Sequence, residues 1–418
     1  MIRRAMFATA RLEVVVLATA AVAIVFLRWH GVRLGRGTVE ILVGTMLARW
    51  PGVLLAGAVL QAAAHLLGRR SLVGWVRGFV TGSSLVAFGR AWLALAGMSC
   101  VYFGLKIAVP LTNPALWDGE LWALDRLLHF GVSPSIFAVE LFAGTPLVAW
   151  IDYWYLLWLT TIVVTQAYVL LDPVRERRVH FALACVLLWL GSAWVYVALP
   201  ALGPCYFVPE VFDAVRESMP GARLIQQSLW TTYAQVLAAR GGGAALEVNP
   251  FLAVAALPSV HVGAHFMFTL WARRHAPRLW PVFAVATALT FVGALLTGWH
   301  YAVDAYLGML LAWGAVRVAD RWAPVPVSAA PPLGGQRARQ QQAGDQGDGD
   351  EQHAEGGLDA EHDVALEQRG EAAITDRAGD EEQDRGHQRQ RRGAAGAALV
   401  EAAREPDGES AEEGAELG

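Results

Sequence analysis

Apolar runs too long for a soluble core organise this chain. Eight of them lie near 12–28, 51–67, 91–110, 147–171, 180–199, 259–274, 279–297 and 300–319. About twenty consecutive apolar residues wound as a helix cover the hydrocarbon layer of a bilayer. Lipid offers no partner to a bare N–H or C=O, so such a segment must close its hydrogen bonds on itself as an α-helix. The composition agrees: 55% of the 418 residues are hydrophobic, too apolar for a soluble domain of that length. The expected fold is all-α and polytopic. The opening "MIRRAMFATARLEVVVLATAAVAIVFLRW" has a long apolar run and is followed by further spans rather than a soluble domain. It reads as a retained anchor, not a cleaved signal.

Three zones follow from the spacing: N-terminal membrane segments over 1–90, a six-span core over 91–322, and a tail over 323–418. The tail is rich in Gln, Glu, Asp, Arg, Gly and Ala and lacks aromatic residues, so it cannot bury a core and is expected to be disordered. The net charge of −4 is dominated by this tail; ahead of it the charges are mainly arginines between apolar runs. "DPVRERR" (172–178), "ARRHAPR" (272–278), Arg317 and Arg321 place three connections on the cytoplasmic side by the positive-inside rule. Alternation puts the loop 200–256 and the turn "TGWH" (297–300) on the other side. "RWHGVRLGRG" (28–37) would join them although it holds three arginines. Nothing in this pattern suggests nucleic-acid binding. Loop 111–146 contains "ALWDGELWALDRLLHF", whose apolar residues at three- and four-residue spacing, with acids between them, predict an interfacial helix along the bilayer surface. Loop 200–256 reads as partly irregular. Cys100 and Cys185 read as packing residues, and with Cys205 they make neither a disulfide framework nor a metal site.

Two stretches carry chemistry. In "AALPSVHVG" (255–263), Pro258 suits the first turn of a helix, which puts His261 at the helix mouth. Free N–H groups and the positive end of the helix dipole favour an anion there, and the Ser259 hydroxyl adds a donor. In "LTGWHYAVDAYLG" (296–308), His300 and Asp304 are spaced i, i+4, which on a helix puts both on one face. The carboxylate would hold the imidazole Nδ1–H and leave Nε2 free as a nucleophile. His261 across the site would protonate a departing oxygen. These parts are sufficient for phosphoryl transfer through a phosphohistidine, without metal or cofactor. Each stretch also has an ordinary reading, as a capped helix start or a chance spacing. Their joint occurrence at the same end of two predicted spans, with an aspartate inside one of them, favours function.

"VNPFLAVAALPSVHVG" together with "TGWHYAVDAYLG" resembles the type-2 phosphatidic acid phosphatase superfamily. More narrowly it resembles the inositolphosphotransferase branch, which includes the fungal inositol phosphorylceramide synthases and related bacterial membrane proteins. "LPALGPCYF" (199–207) is similar to a proline-rich stretch of that branch. The resemblance covers the six-span core. It implies His300 as nucleophile, Asp304 as its orienting partner, His261 as acid for the leaving group and Ser259 as a phosphate ligand. It also implies membrane lipids as donor and acceptor, and a multi-pass protein of the bacterial plasma membrane with its site on the non-cytoplasmic face. The superfamily's usual K-x(6)-R-P and S-R positions hold Tyr196, Gly203, Pro204, Gly293 and Ala294 here, so no lysine or arginine stands at the phosphate clamp. That departure favours a headgroup transferase over a phosphatase of lipid phosphates or polyprenyl diphosphates. A non-catalytic protein that kept only the fold is the remaining alternative.

Among the arginines of the long loop, Arg216, Arg223 and Arg240, the ordinary reading is a solvated residue. Arg223 is the candidate phosphate ligand because "GARLIQQSLW" reads as helix. "KIAVPLTNP" (106–114) has the clamp's spacing after the wrong span, and Lys106 is expected to snorkel to the surface. Asp152 is expected to cap the end of its own span.

Overall fold

The computed structural model describes residues 2–68 and 71–325. The predicted tail, beyond its first three residues, lies outside the described residues. The described part is helical, and its one strand-like feature is an isolated bridge between Leu34 and Leu246. Two long helices open the chain, α1 (Ile2–Trp29) and α2 (Arg36–Leu67), followed by a short α3 (Leu72–Phe79). The core begins with α4 (Gly82–Thr112), which starts well ahead of its predicted apolar run. Two short helices, α5 (Asp118–Leu128) and α6 (Pro134–Phe142), lead to α7 (Leu147–Leu156) and α8 (Trp158–Leu170). Next come α9 (Arg175–Ala198), the single turns α10 (Pro204–Phe207) and α11 (Asp213–Arg216), and α12 (Pro220–Ala238). Three helices close the bundle: α13 (Val260–His275), α14 (Trp280–Leu296) and α15 (Ala302–Trp322).

Five helices, α1, α2, α4, α9 and α15, are long and apolar enough to cross a membrane; α7 and α8 meet that test only as a pair, bent by 49° at Leu157. The single span expected over 147–171 is therefore broken. The helices α13 and α14 have 16 and 17 residues. At 1.5 Å per residue they reach about 25 Å, short of a typical ~30 Å hydrocarbon core.

The buried centre is α9, which packs against α1, α4, α8, α13 and α15. Lipid tails are as apolar as leucine, so helices in a bilayer gain by close packing, and small residues permit it. The α13–α15 seam shows this, with Ala264, Ala272, Ala312, Ala315 and Ala319 all buried. Its tightest point is glycine on glycine. A Cβ on Gly308 would stand 2.2 Å from the Ser259 carbonyl oxygen, and one on Gly263 would stand 2.7 Å from that of Gly308.

The arginine-rich segments gather at one end of the bundle. There Asp320 of α15 binds Arg274 (2.5 Å) and His180 (2.9 Å). The opposite end holds the long loop, and the arginine-bearing segment 30–38 joins it. Gly35 N–H donates to the Leu246 carbonyl and Leu246 N–H to that of Arg33, each at 2.8 Å. The Thr38 hydroxyl lies 2.8 Å from the carbonyls of Leu246 and Val248 and accepts the Val248 N–H. Charge counting left this segment ambiguous; backbone pairing fixes its end of the bundle.

Candidate functional site

Four carboxylates build the non-arginine end, each reaching across to the backbone of another element. On α5 Glu120 is exposed, whereas the other two acids turn inward. Asp118 is 4% exposed and Asp125 0%. Seven residues apart, they share one face of α5. Asp125 accepts the N–H groups of Ala302 and Val303, both at 2.8 Å, and so caps α15. Asp118 accepts the N–H groups of Leu202 (3.0 Å) and Gly203 (2.8 Å) and the Tyr301 hydroxyl (2.8 Å). Burial pushes both carboxyls above their usual range, against the pull of these donors. Asp152 does cap a helix, but it is α12 and not its own: its oxygens accept from Gly221 (2.9 Å) and Ala222 (2.8 Å). Glu247 accepts the Thr38 N–H at the start of α2 (3.1 Å).

These anchors hold the two stretches singled out in the sequence. The "LGPCYF" loop lies on the "TGWH" turn, with Cys205 N–H donating to the Gly298 carbonyl at 2.8 Å. Gly203 has φ +108°, and a Cβ there would meet the Trp299 carbonyl oxygen at 2.7 Å, so only glycine fits. Gln226 of α12 ties the same turn from the other side, donating to the Thr297 carbonyl at 2.6 Å.

His261 and His300 meet. His261 is the second residue of α13, and its Nδ1 lies 2.6 Å from Nε2 of His300. Pro258 stands just ahead of the helix rather than in its first turn; Ser259 is the N-cap, and its hydroxyl accepts the Val262 N–H at 3.4 Å. Ser259 N–H donates to the Asp304 carbonyl at 2.9 Å, clamping the start of α13 to the start of α15.

His300 and Asp304 do not share a helix face. His300 precedes the α15 N-cap, Tyr301, whereas Asp304 lies in the first turn. The carboxylate still approaches, because a side chain at the third helical position folds back on the N-cap backbone. Asp304 Oδ2 accepts the Tyr301 N–H at 3.0 Å and stands 3.4 Å from His300 Nδ1. The nearer partner of His300 Nδ1 is the Ala256 carbonyl oxygen at 2.8 Å. A carbonyl only accepts, so Nδ1 carries hydrogen and the Nε2 lone pair faces His261. The expected free Nε2 is therefore engaged: His261 Nδ1–H donates to it. Asp304 is 0% exposed and its Oδ1 has no hydrogen-bond partner.

Aromatic rings wall the pair. The bend after α7 brings Trp158 edge-on to His261 with ring centroids 3.9 Å apart, and Tyr155 and Trp299 lie at 5.5 and 6.0 Å. One turn along α13, His265 places Nδ1 2.8 Å from the His261 carbonyl and Nε2 2.9 Å from the Thr161 hydroxyl. Sequence reading missed His265, although its i, i+4 spacing from His261 was visible. It also missed Asp118 and Asp125, whose seven-residue spacing was the available signal. Nothing in the sequence marked Trp158 or the Ala256 carbonyl.

Arg223 is not brought to the histidines. Its guanidinium pairs with Glu217 at 3.2 Å in an open cavity of about 440 Å³ lined also by Tyr206, Arg216, Gln226, Gln227 and Trp230. Lys106 does not point its ammonium away along the helix. That group lies 5.3 Å from the centre of the Tyr196 ring and 5.9 Å from that of Tyr102.

No curated protein and no solved structure matches the chain. Residues 119–318, a stretch that contains both histidines and Asp304, match the family model of the PAP2 superfamily, which supports a phosphatase-type enzyme acting on lipid phosphates.

Proposed function

We propose that the protein is an integral membrane phosphotransferase that moves a phospho-headgroup from one lipid to an alcohol on another, at the non-cytoplasmic surface. The observation that carries the reading is the contact between His261 Nδ1 and His300 Nε2, with His300 Nδ1 held on the Ala256 carbonyl. That hydrogen bond selects the tautomer whose Nε2 lone pair is the nucleophile. In the proposed cycle the phosphorus enters by parting the two rings. His300 Nε2 attacks, the bond from phosphorus to the donor oxygen breaks, and His261, entering the step as the imidazolium, delivers one proton to that oxygen and becomes neutral. The acceptor alcohol then attacks the phosphohistidine and loses its proton to His261, which restores both residues. Asp304 lies within electrostatic reach of the His300 ring and supports its positive charge in the intermediate.

Transfer to an alcohol is favoured over hydrolysis by the walls of the site. His300 is 2% exposed, and indole and phenol rings surround its partner. Water as acceptor would make the same residues a phosphatase, in keeping with the family match. Purified full-length protein in liposomes, given a labelled phospholipid with and without a diacylglycerol or ceramide acceptor, separates the two. The expected products are an acceptor-dependent new lipid and an acid-labile phosphohistidine that is lost in His300→Ala. Free phosphate as the sole product would assign hydrolysis. Undiminished turnover in His300→Ala would end both readings.

A further inference from the structure

Lys106 is the only lysine in the 418 residues; every other basic side chain apart from histidine is an arginine. It stands in α4, a membrane-crossing helix that lies wholly ahead of the family match. A charged side chain within a membrane-crossing helix is costly unless it finds a partner. Two arginines of the long loop have theirs: Arg216 pairs with Asp213 and Arg223 with Glu217. Among the described residues Lys106 makes no ion pair or hydrogen bond. Its ammonium rests on the faces of Tyr196 and Tyr102, weaker partners than a carboxylate.

Its position is specific. The Tyr102 and Tyr196 hydroxyls are 3.2 Å apart, and the Tyr196 hydroxyl donates to the Pro258 carbonyl at 2.9 Å. The tyrosine on which the ammonium rests is thus fastened to the residue that precedes Ser259 and the α13 mouth. A compact ammonium with three rotatable donors can hold a phosphoryl group as a point charge.

We propose that Lys106 binds the phosphoryl group at the histidine pair, so that α4 supplies the cation of an anion site whose other wall is the N-terminus of α13. This rests on the phosphotransfer reading for the identity of the anion. The shared chemistry is a phosphoryl group with two or more anionic oxygens, carried on a lipid or free. The ammonium is one positive charge facing developing negative charge where water is scarce, and its loss weakens both binding and turnover.

The test uses the full chain in detergent–lipid micelles, with Lys106→Met, Lys106→Arg and His300→Ala. Inorganic phosphate binding is read by calorimetry against chloride at equal ionic strength, and donor-lipid turnover is read separately. Phosphate affinity should fall about tenfold or more in Lys106→Met, stay closer to wild type in Lys106→Arg, and survive in His300→Ala. The KM for the lipid donor should rise in Lys106→Met if the lipid headgroup uses the same site. Because Lys106 is the sole lysine, an amine-reactive probe followed by peptide mapping gives a second readout in unmutated protein, with phosphate slowing the labelling of Lys106. The proposal falls if Lys106→Met, shown to be folded by gel filtration, binds phosphate as tightly as wild type, or if wild type binds none in excess of chloride. If phosphate binding depends on Lys106 while wild type turns over no lipid, the phosphotransfer reading fails and the anion site stands. If lipid turnover in Lys106→Met equals that of wild type, the phosphotransfer reading stands and the role of Lys106 in it falls.

Discussion

The cap that α5 places on α15 sets a measurable share of the stability of the site. Asp125 is fully buried, and each of its oxygens accepts one N–H of the first α15 turn at 2.8 Å. Asp125→Ala would leave two donors in a place closed to water. A hydrogen bond to a charged group contributes about 1.5–3 kcal/mol, so two give an upper bound of about 3–6 kcal/mol. The desolvation of the carboxylate, which also raises its pKa, offsets part of this, and a net loss of about 2–4 kcal/mol is expected. Asp125→Asn keeps one acceptor oxygen and should lose about half as much. The measurement is denaturant unfolding of the full chain in mixed micelles, with Leu127→Ala as reference, since Leu127 is on the same helix but 75% exposed. An Asp125→Ala protein within about 0.5 kcal/mol of that reference would refute the capping account.

The same carboxyl predicts a pH trend. Burial holds the Asp125 pKa above its ordinary value of 3.8, so its contribution is largest below that value and declines as pH rises through the folded pKa. The stability gap between wild type and Asp125→Asn should widen as pH falls from 7 toward 4, and a gap that narrows would contradict the sign. Gly308→Ala drives a Cβ to 2.2 Å from the Ser259 carbonyl oxygen and must spread α13 from α15 by about 1 Å. A thermal-stability loss of about 1–3 kcal/mol and a turnover loss of about 100-fold should follow, with Gly314→Ala, which meets nothing within 4 Å, as the silent control. Thr38→Val removes the hydroxyl that accepts the Val248 N–H and should cost about 1–3 kcal/mol, read as faster hydrogen exchange over 244–249; unchanged exchange would argue against the junction.

Much of the fold was legible because lipid imposes one rule on every span. Apolar length located α1, α4, α9, α14 and α15, and the arginine clusters do lie together at one end. Period and charge are silent on where a span breaks, and the bend at Leu157, with no proline or glycine beside it, left no trace in the sequence. At the site, the two histidines were legible as a pair because each opens a span at the same end. Their surroundings were not. Asp118, Asp125, Asp152 and Glu247 all serve N–H groups far away in the chain, and a side chain that caps a remote helix looks identical, in sequence, to one facing water. Asp304 was assigned to His300 by helical spacing, whereas the actual geometry arises from the fold-back of a first-turn side chain. Lys106 was set aside for following the wrong span, which is a judgement about order along the chain. The bundle brings Lys106 onto Tyr196, whose hydroxyl donates to the Pro258 carbonyl, and order ceases to matter.

The junction at Thr38 reaches beyond its own few hydrogen bonds. It joins residues 208 and 210 positions apart, and the segment it grips runs on to Ser259 and, thirteen residues after Val248, to His261. The first two helices, which the family match leaves out, thus hold one end of the tether that presents the acid histidine. A protein trimmed to the matched segment would keep His261, His300 and Asp304 but lose the hand that steadies the first of them.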